Sequence, residues 1–122
     1  MSLRWHAAVV DCHDVHAQSR WWAGVLGWRI AGEDDYGVVT VVPPEQGTGL
    51  MFQPVPEGHP LRNRLYLALD PDGDQAAEIS RLQAMGAKVV AVGEGEVDWV
   101  IMQDPEGNGF SVLGPRSERP RG

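Results

Sequence analysis

The chain has 122 residues, of which 43% are hydrophobic and 22% charged, with a formal net charge of −7. That length suits one domain with a sizeable core. No apolar run is long enough to span a bilayer, and a lone cysteine, Cys12, excludes an internal disulfide and any multi-cysteine metal site. The last eight residues hold Arg116, Arg119 and Arg121 against Glu118, a net +2, which leaves −9 on the rest. Such a domain repels nucleic acid and anionic membrane and tolerates or attracts cationic ligands.

The N-terminus shows no charged segment followed by an apolar stretch, so the expectation is a cytoplasmic protein without a signal peptide. Residues 4–11 read as a strand, with Ala7 to Val10 before the polar Asp11. Asp14 suits a helix cap, because a short carboxylate accepts from the free amides of the first turn. Val15, Gln18, Trp22, Val25 and Leu26 then recur at helical spacing, and Gly27 suits the left-handed residue that stops a helix. Residues 28–32, 36–42 and 48–53 read as strands divided by Gly, Asp, Pro and Glu turns. A linker follows at 54–61, carrying Pro54, Pro56 and Pro60. A strand at 62–69 and a helix at 74–85 come next, the helix with Ala76, Ile79 and Leu82 as its apolar stripe and Gly86 as its stop. Strands at 87–92, 97–103 and 109–113 complete the domain at residue 114, and 115–122 reads as a flexible basic tail.

The same pattern is written twice. Val25-Leu26-Gly27 recurs as Ala84-Met85-Gly86, with the glycines 59 residues apart. The segment Pro44-Glu45-Gln46-Gly47-Thr48-Gly49-Leu50 recurs, one residue shorter, as Pro105-Glu106-Gly107-Asn108-Gly109-Phe110. Two βαβββ modules, 4–53 and 62–113, therefore predict an α+β fold. One module cannot bury both faces of its sheet, so the two are expected to form a curved mixed sheet with helices outside and a hollow inside.

Two motifs carry a family resemblance. Trp21-Trp22-Ala23-Gly24-Val25-Leu26-Gly27 on an Asp-initiated helix and the closing run Asp104 to Leu113 (DPEGNGFSVL) resemble the vicinal-oxygen-chelate superfamily over residues 4–113. The likeness is to its glyoxalase-like and bleomycin-resistance branch. The superfamily includes glyoxalase I, extradiol dioxygenases, epimerases, fosfomycin-resistance transferases and metal-free bleomycin-binding proteins, so the fold leaves the reaction undetermined. In metal-using members, four ligands from the first and last strands of the modules hold a divalent ion that chelates the substrate. The resemblance places those positions at Ala7, Met51, Tyr66 and Ser111. None is His, Asp or Glu, and such a set suits Zn, Ni, Mg or Mn poorly. The branch is expected to carry His and then Asp where this chain has Tyr66 and Ala68. His6 neighbours Ala7, but a shift of one residue reverses the face of a strand, and His6 with Gln53 would remain incomplete. No metal or other cofactor is expected.

The remaining candidates are weaker. His13 and His16 sit three apart, a spacing that reads as exposed polar side chains more readily than as a ligand pair. His59 lies in the linker, and Cys12 reads as a small buried residue with nothing to mark a reactive thiolate. If the sheet curves as the resemblance implies, alternate residues line the hollow. These are Trp5, Ala7, Val9 and Asp11, with Met51 and Gln53, Arg64, Tyr66 and Ala68, Gly109 and Ser111, and Trp99 at the rim. Trp22 and Trp28 read as core, and Tyr66 reads equally as core or pocket. Arg64 suits a partnership with Asp11 or with an anionic ligand. The expected function is a metal-free binder of a small aromatic or cationic molecule, of bleomycin-resistance type, acting as a homodimer without nucleic-acid or membrane partners. The alternatives are a metal-dependent lyase, isomerase or dioxygenase-like enzyme, a metal-free enzyme using Tyr66, Asp11 or Arg64 as acid–base groups, and a regulatory domain with a filled hollow.

Overall fold

The computed structural model describes residues 5–45, 47–56, 67–92 and 99–114. The chain divides into two compact units, Met1–Leu61 and Arg62–Gly122, each built around its own four-stranded mixed sheet. The first unit contains β1 (Ala7–Cys12), α1 (Val15–Leu26), β2 (Arg29–Glu33), β3 (Val39–Val42) and β4 (Gly49–Pro54). Its strand order is β1-β4-β3-β2, with β1 and β4 parallel and the other neighbours antiparallel. The second unit contains β5 (Leu67–Leu69), α2 (Gln75–Ala84), β6 (Lys88–Val92), β7 (Val100–Gln103) and β8 (Gly109–Val112), in the matching order β5-β8-β7-β6. The α+β class and the paired βαβββ modules are those expected from the repeat. Much of the linker, the residues 62–66 of the fifth strand, the start of the seventh and the basic tail lie outside the described residues.

The repeat extends to individual hydrogen bonds. Asp14 Oδ1 accepts from the Ala17 amide and Asp74 Oδ2 from the Ala77 amide, both at 3.1 Å, so each helix starts on a carboxylate. Each helix ends before a glycine in the left-handed region, Gly27 at φ 68° and Gly86 at φ 105°. Beyond these glycines, Trp28 N–H donates to the Ala23 carbonyl and Ala87 N–H to the Leu82 carbonyl, the same closing bond 59 residues apart. The β2–β3 and β6–β7 ladders both slip one residue, between Ile30 and Gly32 and between Val89 and Ala91. At the head of β4, Gly49 is required by a close approach. A Cβ there would lie 2.3 Å from the Val41 carbonyl oxygen.

Two hairpins use one device. In the β2–β3 turn, Asp34 Oδ1 accepts from the amides of Tyr36 and Val38, and Gly37 at φ 80° closes the turn. In the β7–β8 turn, Asp104 Oδ1 accepts from Glu106 and Asn108, with Gly107 at φ 91°. An Asp followed three residues later by Gly supplies both the acceptor and the left-handed residue.

Alternation sets the core. Cys12, Val39, Val41, Leu50 and Phe52 are buried on one face of the first sheet, against which α1 packs with Val15, Gln18, Ser19, Trp22 and Val25. Two expected core positions are less enclosed than periodicity implies. Leu26, in the last turn, and Trp28, just past the left-handed Gly27, are both half-buried where the chain swings from helix to strand. In the second sheet Val100, Met102, Phe110 and Val112 form the buried face, but α2 buries only Leu82. Ala76, expected on the apolar stripe, is exposed, whereas Gln75, Glu78 and Ile79 are half-buried. The Gln75 amide donates to the Val112 carbonyl at 3.2 Å, anchoring the helix by its polar first turn and rotating Ala76 outward. No helix among the described residues is long and apolar enough to cross a membrane.

Candidate functional site

Period-two alternation gives the first sheet a second face, opposite α1. The parallel register pairs Ala7 with Gly49, Val9 with Met51 and Asp11 with Gln53, while Thr40 on β3 pairs with Met51. The five candidates of this module that lie in strands therefore share one face: Ala7, Val9, Asp11, Met51 and Gln53. Val9 is 55% exposed, and Asp11 and Gln53 are exposed, in contrast to the fully buried Phe52 and Val41 on the helix side. Thr40 and Val42 belong to the same face by register and were not among the sequence candidates. The signal for them was the alternation of the strand 36–42, which places residues 40 and 42 opposite the buried 39 and 41.

At the end of this face where β1 and β4 finish, the polar group is one side-chain pair. Gln53 Nε2 donates to Asp11 Oδ1 at 3.3 Å across the β1–β4 ladder. An ionised carboxylate only accepts, so the amide nitrogen of Gln53 must face it. The pair stands at the C-terminal end of both strands. The β2–β3 turn reaches that end too, because Val39 pairs with Phe52 and a Cβ on Gly37 would lie 3.5 Å from Pro54 Cγ. Tyr36 in that turn is 86% exposed, a third residue that sequence reasoning missed; an aromatic inside a Gly-closed turn is its visible signal.

Trp5, 73% exposed, precedes β1 at the opposite end. From Ala7 to Asp11 the strand runs about 13 Å, so one small molecule touching Asp11 does not also rest on Trp5. In the second unit Ala68 pairs directly with Ser111, and Ser111 with Ile101, while Trp99, 37% exposed, sits one residue before β7. Arg64 and Tyr66 lie outside the described residues, so the expected Arg64–Asp11 pairing and the acid–base role of Tyr66 are not placed.

The donor set speaks to metal binding. Of the four positions that the resemblance assigns to ligands, three are described, and they hold a methyl group, a thioether and an alcohol (Ala7, Met51, Ser111). These do not fit a divalent ion that wants imidazole or carboxylate. Asp11 and Gln53 supply one carboxylate and one amide, and no cluster of three or more His, Cys, Asp or Glu side chains occurs among the described residues. His6 precedes β1 with the parity of the helix-side residues Ala8, Val10 and Cys12. His16 Nε2 instead meets Glu33 Oε1 at 2.7 Å on the surface, an exposed pair between α1 and β2, and His13 is exposed beside the cap. Cys12 is fully buried, its thiol 3.8 Å from the Gln53 carbonyl that it donates to, so it serves packing.

Comparison with known proteins adds a family and a fold. The model of a family described as a glyoxalase-like domain matches residues 7–113. The structure is similar to a member of the glyoxalase/bleomycin resistance protein/dioxygenase superfamily from Sphaerobacter thermophilus, at 17% identity and TM-score 0.72, covering 94% of this chain and 100% of that one. It is similar to TnmS3, an antibiotic-binding protein from a Streptomyces species, at 20% identity and TM-score 0.63, covering 94% and 98%. It is also similar to FosX, a fosfomycin resistance protein from Listeria monocytogenes whose structure holds Mn(II) and sulfate, at 12% identity and TM-score 0.73, covering 98% and 95%. No curated protein matches the sequence.

Proposed function

This chain belongs to the glyoxalase-like domain family, within the vicinal-oxygen-chelate superfamily, and from that premise we propose that it is a metal-free binder of a small organic molecule. The observation that carries the reading is the helix-free face of the first sheet. It presents Val9 and Met51 beside a single hydrogen-bonded polar pair, Asp11 and Gln53. An apolar floor with few, placed polar groups is the usual composition of a small-molecule site. The antibiotic-binding relative supports a binding role on this fold. The reading includes a homodimer and a cytoplasmic location.

The experiment is a screen of small molecules by thermal shift and tryptophan fluorescence. A ligand present at a hundred times its Kd stabilises the folded protein by about 2.7 kcal/mol, a readily measured rise in Tm. Binding that survives Trp5→Phe and weakens on Val9→Asp supports the site. A broad library that shifts neither signal sinks it.

The runner-up is a metal-dependent lyase, isomerase or dioxygenase-like enzyme, favoured by the Mn(II)-containing relative. The residues at Ala7, Met51 and Ser111 argue against it. Elemental analysis of protein purified without chelator separates the two: substoichiometric metal is expected, and one Zn, Ni or Mn per chain overturns the binder. Sedimentation velocity checks the dimer, which a single monomeric species at micromolar concentration excludes.

A further inference from the structure

We infer that Asp11, positioned by Gln53, is the specificity-determining residue of this face, and that it selects a ligand carrying an ammonium, amidinium or guanidinium group. The inference rests on the binding reading above and adds the chemistry of the ligand. With Gln53 Nε2 committed to Asp11 Oδ1, the pair still offers the second carboxylate oxygen and Gln53 Oε1 as acceptors, against one remaining amide N–H. Acceptors outnumber donors, so a ligand rich in N–H groups satisfies the pair and a carboxylate or phosphate does not.

Charge points the same way. Asp11 is the only acidic side chain that the register places on this face of the sheet, and the one basic side chain there, Arg29, pairs with Val42 on the far edge strand, three strands across and level with the Ala7 end. The domain around it carries −9, so no general positive field offsets it. The apolar neighbours are near enough for one molecule to use both: Val9 stands two residues before Asp11, about 7 Å along the strand, with Met51 directly across from Val9. An arylalkylamine fits that spacing.

The duplicated module shows that the pair is not simply a feature of the fold. The ladder Val9–Met51 corresponds to Ala68–Ser111 in the second unit. Continuing two residues along both strands, Asp11 corresponds to Asp70 and Gln53 to Leu113. The acid recurs, but Leu113 stands where the first module has Gln53, so the pairing of Asp with Gln belongs to the first module.

The test uses the full chain and three probes of one shape: benzylamine, benzyl alcohol and benzoate, titrated at neutral pH and followed by amide chemical shifts. Benzylamine is expected to move the amides of 9–12 and 50–53 and to bind about fivefold more tightly than benzyl alcohol, the selectivity that an exposed charge pair supports, and benzoate least. Asp11→Asn, which keeps the shape, should erase that preference. Gln53→Leu, which copies the second module, should reduce it while retaining binding of the alcohol. Asp70→Asn should change nothing. Equal binding of amine and alcohol by the parent protein overturns the inference and leaves the binding reading standing. Loss of the preference in Asp70→Asn as large as in Asp11→Asn also overturns it, by showing a diffuse field in place of a site. An unchanged preference in Gln53→Leu removes the positioning role. Silence of those amides with all three probes, alongside hits elsewhere in the screen, moves the binding site itself and sinks both readings of this face.

Discussion

α1 and α2 begin on the same kind of cap and end on the same kind of glycine, yet they do different amounts of packing. α1 turns Val15, Gln18, Ser19, Trp22 and Val25 into its sheet, whereas α2 buries Leu82 alone and leans on a hydrogen bond from Gln75. The backbone punctuation of the repeat has stayed constant while its side-chain packing has diverged. Asp and Gly act locally, each through one or two hydrogen bonds or one φ angle, so they tolerate changes elsewhere. A helix–sheet contact depends on every partner at once. The same contrast holds on the opposite faces, where the first module keeps the Asp11–Gln53 pair and the second has Asp70 and Leu113.

The comparison breaks most readily at the two central helix residues. Trp22 is 2% exposed and meets Trp21 edge-on at 5.1 Å between ring centroids. Trp22→Ala should cost about 3–5 kcal/mol, since a large cavity opens under α1. Leu82→Ala should cost about 2–3 kcal/mol, toward the lower end for a buried leucine, because fewer groups surround α2. Urea denaturation followed by circular dichroism measures both. Equal losses would mean that α2 is as firmly seated as α1, contrary to its exposed flanks.

The turns come next. Asp104 is 3% exposed and holds two amides, whereas Asp34 holds two amides from an exposed position. Asp104→Ala strands two part-buried donors beneath a buried carboxylate and should cost about 1–3 kcal/mol; Asp34→Ala lets water replace the carboxylate and should cost about 0.5–1 kcal/mol. The same denaturation series checks the pair, and a larger loss at Asp34 would reverse the assignment of which turn is structurally critical.

Much of this was legible in the residues themselves. Caps, stops, the repeat and the βαβββ order follow from local signals, and alternation alone puts Ala7, Val9 and Asp11 on one face. What was not legible needed non-local information. The parallel pairing of β1 with β4 joins residues 42 apart, so the Asp11–Gln53 hydrogen bond appears only once the register is known. Helical periodicity placed Ala76 on the buried stripe because it weighs apolar residues alone. It had no means of weighing the Gln75 bond to Val112, which sets the rotation of α2. Tyr36 reads as a plain turn residue until Gly37 is seen against Pro54.

The smallest expected difference lies between the caps, and it is the most discriminating. Asp14 and Asp74 accept from the amide three residues on at the same 3.1 Å. Capping geometry alone therefore predicts equal losses of about 0.5–1 kcal/mol for Asp14→Ala and Asp74→Ala. The helix dipole separates them. The first turn of α1 contains no other acid, while that of α2 contains Glu78. A negative charge near a helix N-terminus contributes about 0.3–1 kcal/mol, so part of the dipole's demand in α2 survives the loss of Asp74. That remainder is reduced because Glu78 also accepts from Arg81, whose pKa the hydrogen bond raises. Asp14→Ala should accordingly be the costlier change, by about 0.3 kcal/mol, and raising salt should narrow the gap. With Glu78→Gln in the background, Asp74→Ala should come to match Asp14→Ala. If it does not, the two caps differ through packing of their helices, and the local punctuation of this repeat is less independent of the core than the matching hydrogen bonds imply.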